Sequence, residues 1–104
     1  MELKDTCKIL LDKGNKQKIK CYKFFHKGLN RELAIHPNID IKVRTNITDT
    51  ITGLNLVTIR KEFEKVSKDD IKESIERLIA KYTLEEIFKE FEKFEKKQAE
   101  TKEK

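Results

Sequence analysis

The sequence predicts an α+β fold: a small antiparallel β-sheet of about four to five strands, followed by two C-terminal α-helices packed on one face. Three observations lead there. Short runs rich in β-branched and aromatic residues, separated by turn formers, fill the first half of the chain. From Ser67 onward, apolar residues instead recur every three or four positions. The strands precede the helices without the alternation of strand and helix that a parallel sheet requires. With 104 residues, 37 % hydrophobic and 41 % charged, the chain has the size of one domain with a lean core. A single domain is expected over residues 1–97, with strands in residues 7–60, helices over 68–81 and 84–97, and a polar tail at 98–104 that frays.

Lys8-Ile9-Leu10-Leu11 begins the first strand, and Asp12-Lys13-Gly14-Asn15 supplies residues that tolerate positive φ. Residues 17–26 then resume with β-branched and aromatic side chains, which makes a hairpin. His26-Lys27-Gly28-Leu29-Asn30 repeats the turn chemistry. Arg31–His36 follows as a strand ended by Pro37, whose nitrogen cannot donate to a continued ladder. The clearest alternation lies next, with Ile39, Ile41 and Val43 on one side and Asp40, Lys42 and Arg44 on the other. It predicts a strand with one buried face. Thr45–Thr52 mixes β-branched residues with turn formers and fits a strand, a bulge or a loop; Leu54–Ile59, after Gly53, reads as a strand.

Ser67 with Asp70 three residues later has the spacing of a capping box, and Val66 with Ile71 that of a hydrophobic staple. Ile71, Ile75, Leu78, Ile79 and Tyr82 form the stripe of the helix that starts there. Thr83 with Glu86, and Tyr82 with Ile87, repeat both devices and predict a second helix striped by Leu84, Ile87, Phe88, Phe91 and Phe94. That stripe can pack on the sheet; its alternating steps of three and four also suit coiled-coil pairing with a second copy, a homo-oligomer.

The net charge of +5 belongs to the first half. Residues 8–31 carry eight basic side chains against one acid, Asp12, and so produce a field that attracts anions. In Lys18-Ile19-Lys20-Cys21-Tyr22-Lys23-Phe24-Phe25-His26, a period of two sends Ile19, Cys21, Lys23 and Phe25 to one face. Lys18, Lys20, Tyr22, Phe24 and His26 go to the other. Cations interleaved with rings suit a phosphate-bearing ligand, with lysines offsetting phosphate and rings stacking on bases. The same pattern serves a sheet whose aromatics are core and whose lysines protect an edge. Arg31, beside a turn, and Arg44, at the end of the alternating stretch, are the arginines best placed to fork an anion.

Other chemistries find no support. Cys7, Cys21, His26 and His36 match no zinc spacing, so no metal or cofactor is expected, and the cysteines read as thiols packed like small hydrophobes. The three glycines, at 14, 28 and 53, make no phosphate loop. No group of residues assembles a nucleophile and base, so no catalytic residues and no enzyme are expected. No apolar run approaches the ~20 residues of a membrane span, and the N-terminus has charges where a signal peptide is apolar. A cytoplasmic protein is expected, with no membrane partner. The reading that follows is a non-enzymatic binding protein for a phosphate-bearing ligand, nucleic acid before nucleotide, acting as an accessory protein of a bacterium or phage. Its ligand-binding residues are Lys18, Lys20, Tyr22, Phe24, Arg31 and Arg44. The alternative is a protein-interaction module, an inhibitor or assembly factor that docks an acidic protein and self-associates through its helices.

Overall fold

A computed structural model describes residues 2–11 and 15–102, with side chains as far as Lys96. Five antiparallel strands follow one another in space as in sequence: β1 (Asp5–Leu10), β2 (Lys16–His26), β3 (Arg31–Pro37), β4 (Thr45–Asp49) and β5 (Asn55–Ile59). A short 3-10 turn, Phe63–Lys65, leads into helix α1, Lys68–Lys102. The α+β class therefore holds, with one C-terminal helix where two were predicted. The expected second start survives as a kink: Thr83 has φ 62 and ψ 155, and its hydroxyl accepts a hydrogen bond from the Glu86 N–H. A local cap interrupts the helical ladder at one residue, but no loop intervenes to turn the chain, so the two stretches stay one element.

The first helix start follows the sequence pattern. The Asp70 N–H donates to Ser67 Oγ and the Ser67 N–H donates to Asp70 Oδ2, which satisfies two of the donors a helix start leaves open. Val66 and Ile71, the two staple residues, are both buried. The β2–β3 turn is set by Asn30, whose φ of 52 an asparagine tolerates, and by the Leu29 N–H donating to His26 Nδ1. The turn predicted between β1 and β2 lies, except for Asn15, outside the described residues.

Helix α1 covers one face of the β2–β5 sheet. Leu33 and Ile35 of β3, Ile47 of β4 and Ile59 of β5 meet Ile71, Ile75, Ile87 and Phe91 of the helix in the main core, which also encloses Leu29 and Phe63. Tyr22 and Phe24 pack at its margin. A second, smaller core lies on the other face, where Cys7 and Ile9 of β1 and Cys21 of β2 pack on Ala34. It exists because β2 is long enough to serve two partners. Its first half pairs with β1, Cys7 opposite Ile19 and Lys8 opposite Lys18; its second half pairs with β3, Tyr22 opposite Ile35 and Phe24 opposite Leu33. The β1–β2 ribbon thereby bends across the back of the sheet, and the Leu10 N–H donates to the Gly53 carbonyl beyond the end of β4.

Residues 38–44 correct the clearest alternation in the sequence. They form the loop between β3 and β4, since Pro37 already pairs with Thr45, and Ile39, Ile41 and Val43 are 44 %, 42 % and 57 % exposed. Asn38 decides this locally. Its side-chain oxygen accepts from the Asp40 and Ile41 N–H groups, so those donors turn inward on the loop and leave no ladder to extend. Thr45–Asp49, which the sequence left open between strand and loop, is the strand β4.

Candidate nucleic-acid interface

The bend in β2 divides the stretch on which most of the predicted site residues lie. In its first half the even-numbered side chains point away from the protein, and Lys16, Lys18 and Lys20 are exposed. Lys8 of β1 lies directly opposite Lys18, with Lys16 opposite Leu10 and Lys20 opposite Thr6. Four lysines thus share the outer face of a two-stranded ribbon. Among the described residues, no acidic side chain pairs with Lys8, Lys18 or Lys20.

In the second half the same face turns under α1. Tyr22, Phe24 and His26 form one wall of a groove of about 240 Å3, with Lys68, Ile71, Lys72 and Ile75 opposite. His26 is held neutral: burial lowers its pKa, opposed by the nearby Glu76 carboxylate, and its Nδ1 is occupied as an acceptor from Leu29. The odd-numbered face of this half is the exposed one, with Phe25 60 % accessible and Lys23 3.9 Å from Glu32.

The two arginines are placed differently from the lysines. Arg31 opens β3 opposite His26, eight residues and at most about 27 Å of strand from Lys18. Its guanidinium is already engaged. Nε and one terminal nitrogen fork the Asp49 carboxylate at 2.8 and 2.7 Å, the same nitrogen reaches Glu95 at 2.9 Å, and the guanidinium carbon lies 4.0 Å from the centre of the Phe91 ring. The Asp49 side chain is fully buried, and burial would raise its pKa, yet Arg31 and the Thr52 hydroxyl and N–H together hold it below the ordinary carboxylate value. This cluster ties β3 and the β4–β5 turn to the helix and gives Arg31 a structural task. Arg44 sits in the β3–β4 loop, where its N–H donates to the Ile41 carbonyl.

The cysteines form a pair in the back core. Burial raises both pKa values, that of Cys21 to about 12 with its hydrogen bond to Cys7 adding to the effect, so both are protonated and weakly nucleophilic at neutral pH. Among the described residues, no group of three His, Cys, Asp or Glu side chains converges as a metal site would need. No described helix is long and apolar enough to cross a membrane.

Sequence reasoning thus selected Lys18 and Lys20 but passed over Lys8, Lys16, Lys68 and Lys72. The missing signal for Lys8 is the strand register, which sets it opposite Lys18. For Lys68 and Lys72 it is the packing of the helix start against β2, which no local pattern encodes. The result is a small α+β protein with a basic two-stranded ribbon. No family model matches the chain, and no curated protein or solved structure matches it.

Proposed function

We propose that the protein binds nucleic acid, holding the phosphate backbone on the lysine face of the β1–β2 ribbon. One observation carries this reading: Lys8 and Lys18 stand directly opposite each other, with Lys16 and Lys20 beside them on the same exposed face. Like charges directly opposed on an antiparallel pair destabilise it, so stability alone gives no reason for the arrangement. A polyanion removes the repulsion and releases its own counterions on binding. Lysine offers a point charge and no rigid fork for a base edge, so such binding depends on backbone charge more than on sequence. A free nucleotide would engage only part of the row. No chemistry at this face requires an enzyme.

The test is fluorescence anisotropy of a labelled oligonucleotide over a salt series. Three lysines on phosphates should give a log-log slope of about −2 to −3. The combined Lys8→Gln, Lys18→Gln and Lys20→Gln variant should remain folded, with a urea midpoint unchanged or raised, yet lose at least about tenfold in affinity at low salt. Equal affinity of this variant and the parent protein would overturn the reading.

A second reading, self-association through α1, rests on Leu84 and Phe88, which remain 37 % and 38 % exposed while Ile87 and Phe91 of the same stripe are buried against the sheet. A monomeric mass by light scattering at high concentration would exclude it.

A further inference from the structure

The lysine face of the ribbon does not end where the ribbon does. Side chains on one face of a strand repeat about every 7 Å. After Lys18 and Lys20, the next two positions in that series are therefore Tyr22 and Phe24, at the wall of the groove under α1. The groove opens to solvent, has a largely ring and aliphatic lining, and is flanked on its helix side by two further exposed lysines, Lys68 and Lys72. A row of cations thus leads into an apolar slot that has cations on its far wall.

We infer that the ligand is single-stranded nucleic acid, and that the groove between β2 and the start of α1 receives one of its bases while the phosphates before and after it rest on Lys20 and on Lys68 and Lys72. This rests on the ribbon reading above and adds the strandedness of the ligand. The slot favours an unpaired base because a duplex keeps its bases stacked and paired, with only their edges exposed in the grooves, whereas a single strand can turn a ring outward onto an aromatic wall. The flanking charge agrees: Glu76 acts on His26 at one end of the groove, whereas Lys68 and Lys72 line its helix side, so the strand leaves by the Lys68 and Lys72 side. The neutral His26 ring closes that end without adding a cation that a base has no use for.

The chain has two tyrosines and no tryptophan, so Tyr82→Phe makes Tyr22 the single tyrosine reporter. This variant is titrated at low salt with labelled oligothymidylate and with a duplex of equal length, following anisotropy and tyrosine emission together. Oligothymidylate should bind and quench Tyr22, and the duplex should leave Tyr22 emission unchanged. Phe24→Leu should weaken the single strand about tenfold with the salt slope unchanged. A Lys68→Gln/Lys72→Gln variant, altered only at exposed positions, should weaken it severalfold and lower the slope by about 1 to 2. If both nucleic acids bind equally and neither quenches Tyr22, the groove assignment is wrong while the ribbon reading stands. If neither binds, both readings fail. If octanoate quenches Tyr22 and the oligonucleotide does not displace it, the slot takes an amphipathic acid, and the base assignment is overturned.

Discussion

Within β2, the half from Lys16 to Lys20 packs the half-buried Ile19 against the back core and turns its lysines to water, while the half from Tyr22 to His26 places its even-numbered side chains under the helix and leaves Phe25 exposed. Both halves belong to one continuous strand, and both keep the same alternation. They differ in what covers them. The first half belongs to a ribbon packed across the back of the sheet through Cys7, Ile9 and Cys21 on Ala34, and the second to the sheet whose front is covered by α1. The change of pairing partner from β1 to β3 between Cys21 and Tyr22 exchanges the inner and outer faces. The lysines and the rings of one face can therefore perform different tasks within a few residues of each other.

The largest expected effect falls on the anchor of the helix-covered half. Asp49→Ala leaves the Arg31 guanidinium, 13 % exposed, without its bidentate partner and removes the acceptor that holds the Thr52 N–H and hydroxyl. Urea denaturation should show a loss of about 3 to 5 kcal/mol, the usual cost of breaking a buried pair from one side. A loss below about 1 kcal/mol would mean that the cluster does not secure this half.

The ribbon half has a different weak point. Gly53 has φ 78, and a Cβ there would lie 2.9 Å from both the Leu10 nitrogen and the Lys8 oxygen, backbone atoms that cannot turn aside. Gly53→Ala should cost at least about 1 to 2 kcal/mol from the positive φ alone. It should also lift the ribbon from the β4–β5 turn, so that amide exchange at Leu10 accelerates more than exchange at Leu33 or Ile35. Uniform acceleration at all three sites would show that the two halves unfold together.

A smaller effect is expected from pH, and it samples both faces. His36 lies buried on the back, its Nε2 2.8 Å from Thr48 Oγ1. Burial holds its pKa below the ordinary 6.5, opposed by its bond to the Pro37 carbonyl, and burial lowers that of His26 on the front. As pH falls through 6.5 the unfolded chain takes up protons at these sites before the folded chain does, so stability declines from that point downward. Asp49, whose folded pKa lies below 3.8, adds a second loss as pH falls below that value toward its folded pKa. Urea midpoints should be lower at about pH 5.5 than at about pH 7.5. His26→Gln should remove only the front-face share of the difference; its complete removal would assign the effect to the helix-covered half.

Much of this architecture was legible locally. The Ser67 and Asp70 capping box, the Val66 and Ile71 staple and the turn before Arg31 are short-range devices whose partners lie within five residues, and each occurs where the pattern places it. The alternation at Ile39, Ile41 and Val43 failed because the side chain of Asn38 offered the backbone a competing set of hydrogen bonds. Arg31 was read as an anion fork because its residue type and turn position suit one. Asp49 and Glu95 are not visible as its partners until the strands are paired and the helix is packed on them.

 Glu95 stands 64 positions away from Arg31 in sequence, and no local pattern connects them.

By itself, the sequence determined the order of strands and helix, the place where the helix begins, the two faces of β2 and the concentration of positive charge in the first half. These depend on backbone propensity, capping and side-chain period, all of which act over a few residues. Only the tertiary structure decided which face of β2 is inside, where along the strand that choice reverses, and which cations meet. Burial is a property of whatever packs against a face. For β2 the covering elements are β1 on one side and a helix more than forty residues downstream on the other, so Lys8 opposite Lys18 and Lys68 and Lys72 across from Tyr22 and Phe24 arise from strand pairing and helix packing.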